Sequence, residues 1–206
     1  MKAKTIALIL IPLNIILAFL VYNSIESQVE FNKEASIRIS ENVQQLKDLR
    51  QVQVKYKQAK GEFADNFESL LYFLKNDSMA IVKAIGETPD SLTEIQALEL
   101  GIISRDTAYL PAQETVFDAT YINSRKDGFS LDINKLRTVP HSDTQYNIDA
   151  GQVEKGNVIV QVFEISTNYG TVFTGLDAKN KSYELDALLK VGSMTEASLN
   201  GNWKSE

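Results

Sequence analysis

Apolar positions fall into three patterns along this chain. The first is residues 5–22, TIALILIPLNIILAFLVY, eighteen positions without a charge. A bilayer core of roughly 30 Å takes about 20 helical residues at about 1.5 Å each. The run therefore predicts one membrane-spanning helix, with Tyr22 at the interface where aromatic residues collect. Pro12 removes one backbone hydrogen bond from it and Asn14 adds a polar side chain. Its length exceeds the 7–15 residues typical of a signal-peptide core, and no pair of small residues follows it in Val21, Tyr22, Asn23 and Ser24. An uncleaved anchor is the reading favoured. Lys2 and Lys4 precede the run, which holds the N-terminus in the cytoplasm and sends the rest of the chain outside.

The second pattern covers residues 23–60, which contain neither Pro nor Gly. Here Ile25, Val29, Asn32, Ser36, Ile39, Val43 and Leu46 step by four and three. Five of these seven are apolar, a heptad seam with two polar interruptions. The seam then shifts to Leu49, Val52 and Tyr56, as a stutter would shift it. These residues predict a helix running unbroken from the span to Lys60 and stopped by Gly61. Its apolar stripe has two possible partners. It could pair with a protein partner or a second copy as a coiled coil, or it could pack on the chain's own distal domain. The half from Leu46 to Tyr56 suits the second use.

The third pattern begins at Gly61. Asp65 with Glu68 reads as a capping box opening a helix through Phe67, Leu70, Leu71, Phe73 and Leu74 to Asn76. Ser91 with Glu94 reads as another, its helix ended by Gly101. Residues 79–85 fit a strand or a helical turn. Beyond Gly101 the runs are short, β-branched and alternating, at 102–104, 116–122, 129–133, 146–148, 158–165 and 171–174, with an edge strand at 188–192. Turn signals stand at Asp127-Gly128, Ala150-Gly151, Lys155-Gly156, Tyr169-Gly170 and Gly175. Helices first and strands later predict an α+β fold with a small, mainly antiparallel sheet. The expected organisation is a cytoplasmic start at 1–4, a span at 5–22, a helical stalk at 23–60, a periplasmic α+β domain at 61–198 and a polar tail at 199–206.

Charge sharpens this division. The formal charge of −6 hides a distal region, residues 61–206, with 22 acidic and 12 basic residues, beyond a slightly basic stalk. An acidic domain of this kind argues against nucleic acid or anionic lipid as its partner. The absence of Cys excludes disulfides, thiolate metal sites and cysteine nucleophiles, so the exported domain is held by its core alone. The single histidine, His141, lies in Val139-Pro140-His141-Ser142-Asp143. Neighbouring residues seldom converge on one atom, so this grouping reads as an exposed turn and not a triad. No phosphate loop, dinucleotide fingerprint or calcium loop is present. No catalytic, cofactor-binding or metal-ligating residue is assigned, no cofactor is expected, and the chain does not read as an enzyme. Asn180-Lys181-Ser182 fits a glycosylation pattern without other support. Phe67, Tyr72 and Phe73 are assigned to the core, and Trp203 in the polar tail is the candidate exposed contact.

Residues 46–75 and the chain's last part carry a resemblance. Lys47-Asp48-Leu49-Arg50-Gln51-Val52-Gln53, Tyr56-Lys57, Gly61-Glu62-Phe63-Ala64-Asp65-Asn66-Phe67, and later Leu189 to Ala197 with Gly201-Asn202-Trp203 resemble an uncharacterised bacterial family of single-span envelope proteins. The architecture is similar to that of pseudopilins, with Gly61-Glu62-Phe63 where their helix turns into the sheet, although the processing Gly before the apolar run is lacking. It is also similar to the inner-membrane alignment proteins of type IV pili and type II secretion. The resemblance implies a family and not an activity; the anchor, the imperfect heptads and the missing catalytic set lead to the expectation of a non-enzymatic inner-membrane protein with a periplasmic domain, a structural or assembly component of an envelope complex. The alternative expectation is an anchored sensor or ligand- or peptide-binding module.

Overall fold

The computed structural model describes residues 3–89, 91–126, 128–178 and 182–203. Expectations that rest on Lys2, Asp127, the Asn180-Lys181 pair and residues 204–206 lie outside them.

One helix, α1 (Ala3–Lys60), runs for 58 residues with Pro12 inside it. Gly61 follows at φ +87°, a left-handed stop that its missing Cβ permits. The stop stands where the sequence puts it. Asn14 folds its amide back onto the Leu10 carbonyl at 3.0 Å, so this polar side chain is satisfied within its own helix. From Leu10 to Tyr22 the helix is apolar and exposed all round, and it alone among the described helices is long and apolar enough to cross a membrane.

From Phe31 onward one face of α1 enters a hydrophobic core. Phe31, Ala35, Leu46, Leu49 and Val52 are buried there. Gly61 thus ends the helix but does not begin the domain, because α1 supplies a central element of the core. Helix α2 (Phe67–Asn76) packs on it through Phe67, Leu70, Phe73 and Leu74. Its cap is Asn66 and not Asp65: the Asn66 Oδ1 accepts the Ser69 N–H at 2.7 Å. Strand β1 (Ser78–Ile85) then pairs antiparallel with β2 (Ser104–Pro111), from Ser78 opposite Pro111 to Ile85 opposite Ser104. Between them lies α3 (Glu94–Glu99). Thr93 and Gln96 form its capping box, two residues beyond the expected Ser91.

Of three segments expected as strands, two are helical and one is irregular. Residues 116–122 become the end of α4 (Ala112–Val116) and the start of α5 (Ala119–Ser124). Residues 129–133 are irregular and lead into a 3₁₀ turn, Ile133–Lys135. Residues 171–174 belong to α6 (Tyr169–Val172) and the turn after it. A local cap starts a helical turn that overlaps each of them. Asp118, Asp132 and Asn168 each accept a backbone N–H two or three residues on, from Tyr121, Asn134 and Thr171. These local caps start helical turns that alternation cannot reveal.

The remaining strands form a second antiparallel sheet in the order β3 (Asn147–Lys155), β4 (Val158–Asn168), β5 (Leu188–Gly192). Gly156 and Asn157 link β3 to β4 with φ of 57° and 65°, the two positive values of a type I′ hairpin turn. Ala150-Gly151 is no turn. Gly151 sits in mid-strand opposite Val162, where a Cβ would press on Met194. The fold is α+β: a long N-terminal helix followed by small antiparallel sheets. Phe163, Ile165, Leu189 and Val191 turn to α1. Aromatic pairs close both ends of the core. Phe31 meets Phe173 at 5.6 Å between ring centroids at one end, and Phe63 meets Phe163 at 4.7 Å at the other.

Candidate functional site

The expected seam divides when placed on the structure. Ile25 and Val29 are 60% and 61% exposed, and Asn32 and Ser36 are exposed as well. Ile39 and Val43 are half-buried against the core, and Leu46 is fully buried. The face that α1 turns inward is offset from the seam and runs through Phe31, Ala35, Asn42, Leu49 and Gln53, with Ala35, Asn42 and Leu49 a heptad apart. The offset arises because this face includes polar residues that a hydrophobic template passes over.

Asn42, Gln44, Gln45 and Asp48, on and beside this face, hold the segment 121–146 against α1. Asp48 is buried, and its Oδ1 accepts from Gln44 Nε2 at 3.0 Å, Tyr121 Oη at 2.8 Å and Arg125 Nε at 2.9 Å. Its Oδ2 accepts from Arg125 Nη2 at 2.9 Å, completing a two-pronged ion pair, and Arg125 also donates to the Phe129 carbonyl. Gln45 Nε2 lies 3.0, 3.0 and 2.7 Å from the carbonyls of Lys135, Leu136 and Thr138. Tyr146 Oη donates to Asn42 Oδ1 at 2.7 Å in the interior. Burial raises the Tyr146 phenol well above its ordinary value, and burial with the neighbouring Asp48 charge does the same for Tyr121. Both remain donors throughout the physiological range. The sequence carries a trace of this clasp in the amides and acid at 42, 44, 45 and 48, which fall among apolar inward positions.

Beside the clasp lies a polar cavity of about 680 Å³, walled by Glu41, Gln44 and Asp48 of α1, by Arg125, and by the turn from Thr138 to Asp143. His141 stands at its rim with φ 61°, its Nε2 2.8 Å from Glu41 Oε2. The Ser142 hydroxyl accepts the Thr144 N–H, so the structure turns His141 to the helix and Ser142 to its own turn instead of joining them.

A second feature is the β1–β2 ribbon with α3. Val82, Ile85, Ile95, Leu100 and Tyr109 are each more than half exposed there; Val82 and Tyr109 share one face of the ribbon and Ile85 lies on the other. The Lys60–Asp77 ion pair, 2.8 Å long, fixes the start of this ribbon at the far end of α1. Trp203 does not stand exposed. It is half-buried against the core, with its ring over Gly201, where a Cβ would collide with it. The described part of the expected polar tail is likewise tied down: Gly201 bridges Val191, and Asn202 exchanges hydrogen bonds with Lys190. Tyr72, expected in the core, is 64% exposed, whereas Phe67 and Phe73 are buried.

No known family model, no curated protein and no solved structure matches this chain.

Proposed function

We propose that this chain is a single-span membrane protein whose outward domain is a structural or assembly component of an envelope complex, with the N-terminus cytoplasmic and the domain periplasmic. One observation carries the reading. The same uninterrupted helix is apolar and uncovered over Leu10 to Tyr22 and is then built into the domain's core from Phe31. Phe31 lies nine helical steps beyond Tyr22, a rise of about 14 Å. A domain held this way keeps a fixed height and rotation above a bilayer, which suits a scaffold better than a freely tethered binder. The ribbon is tied to the helix end at Lys60, about 57 Å of helix beyond Tyr22.

The assignment is tested in two steps. A periplasm-dependent reporter fused after the domain is expected to be active, and cytoplasmic activity refutes the topology. Cross-linking in membranes is expected to capture a protein partner through the ribbon in the wild type and not in a Val82→Asp/Tyr109→Asp variant. Recovery only as a lone monomer refutes the assembly role.

A sensor reading is favoured by the cavity alone. Its volume lies within the range of small-molecule sites, and α1 itself forms one wall. Thermal unfolding of the full chain against a panel of small polar metabolites decides between the two readings. A saturable shift lost in Glu41→Gln supports the sensor, and a flat response refutes it.

A further inference from the structure

The β3–β4–β5 sheet has an empty strand position. Strand β5 pairs with β4 only over residues 164–168, while β4 pairs with β3 along Val158 to Ser166. The type I′ turn makes Lys155 and Val158 a hydrogen-bonded pair, so alternate residues of β4 aim their N–H and C=O the other way. On this side Ile165 and Thr167 meet β5, and Ile159 and Gln161 meet no strand among the described residues.

The chain vacates this position by its own turn. At Gly192, φ is +78° and a Cβ would strike the Phe163 carbonyl, so β5 ends and the chain swings away, carrying Met194 across to Gly151 of β3. It then returns one strand further out. The Gly192 N–H donates to the Asn200 carbonyl at 3.0 Å, and Gly201 bridges Val191. Ala197 to Leu199 then face Val160 to Val162 of β4 across a groove. The gap is real space: a groove of about 430 Å³ lined by Val54, Phe63, Val160, Val162 and Leu199, with Lys57 at its lip.

An open edge normally carries a charge, a Pro or a bulge that discourages pairing. Residues 158–163 read Val-Ile-Val-Gln-Val-Phe and carry none of these, and Val158 and Ile159 stay 59% and 68% exposed. We infer that this slot receives an extended apolar segment of another protein as an added strand. Its main chain pairs with Ile159 and Gln161, and one of its side chains enters between Val54 and Phe63. The occupant is a single strand because the groove is bounded by β4 on one side and by residues 197–199 on the other. A folded sheet edge brings a second strand with it and meets that boundary. The inference stands on the sheet alone and does not depend on the membrane span.

The test uses the full chain in lipid nanodiscs and a fluorescein-labelled seven-residue peptide alternating valine and threonine, with empty nanodiscs as background. Saturable binding is expected by fluorescence polarisation, and methylation of alternate peptide amides is expected to abolish it. Gln161→Pro removes an outward N–H without touching the β3 ladder, and Leu199→Asp charges the far wall. Each is expected to weaken binding about tenfold, the scale of one main-chain hydrogen bond. Absence of saturable binding, equal binding of the methylated peptide, or wild-type affinity in both variants overturns the inference. Concentration-dependent self-association that Gln161→Pro abolishes and the peptide does not compete also overturns it, giving the slot to a second copy. If Gln161→Pro loses its cooperative thermal transition, Leu199→Asp alone decides.

Discussion

Replacing Asp48 by Ala tests whether the polar clasp holds α1 in the domain. The wild-type carboxylate accepts four hydrogen bonds, two of them from Arg125, with side-chain exposures of 3% and 9% for Asp48 and Arg125. The attraction within such a pair offsets little more than its own desolvation, but removing one partner strands the other. An unpaired buried guanidinium costs about 3–5 kcal/mol, a large share of the roughly 5–15 kcal/mol that folds a domain. Gln44 and Tyr121 lose an acceptor in the same step. With a urea slope of about 2 kcal/mol per molar, the midpoint is expected to fall by about 2 M. Trp203 is the only tryptophan and is half-buried against the core, so its fluorescence reports the transition directly. The second arm removes both charges. Asp48→Leu/Arg125→Met is expected to be more stable than either single variant, because no orphan charge remains. A loss below about 1 kcal/mol in Asp48→Ala refutes the reasoning, since that is the range of an exposed pair. Additive losses in the double variant refute it too.

Other expectations follow from the same core. The Tyr146 phenol is raised in the folded state, so its contribution is intact below its ordinary pKa of about 10 and is lost as pH climbs above that value. Stability is expected to fall above pH 10 by up to about 1.4 kcal/mol per pH unit for this group, and Tyr146→Phe to flatten the slope in urea titrations. An unchanged slope contradicts the burial. Leu49→Ala is expected to cost about 2–5 kcal/mol and Val29→Ala under about 0.5, as calorimetry would read them; equal losses would return the inward face to the sequence-derived seam. Gly192→Ala forces a Cβ onto the Phe163 carbonyl at positive φ and is expected to lower the thermal midpoint by several degrees. A midpoint within a degree of wild type would mean that the turn adapts.

The parts legible in the sequence are those with long, regular patterns. The unbroken helix over residues 23–60, its stop at Gly61 and the alternating run 158–165 all stand where the sequence pattern puts them. Each such signal extends over many residues and one wrong neighbour does not erase it. The parts that were not legible rest on single side chains. Asp118 and Asn168 begin helical turns through one hydrogen bond each, against a β-branched background that reads as strand. The clasp escaped for a related reason: Asn42, Gln44 and Asp48 look like solvent-facing helix residues until Tyr146, Lys126 and Arg125, some 80 to 100 residues away, arrive as their partners. Trp203 reads as an exposed residue in a polar tail, and only the bridge from Gly201 to Val191 folds it back.

The account rests on α1 being one straight element from the bilayer surface into the core. The chain has no cysteine of its own, so paramagnetic labels can be placed at Tyr22→Cys and Gln58→Cys, both exposed, in the full chain in lipid nanodiscs. A pulsed electron–electron distance of about 54 Å with a narrow distribution is the expected result for 36 residues of continuous helix. A broad distribution, or one centred below about 45 Å, would mean that the helix breaks between membrane and core and would contradict the account.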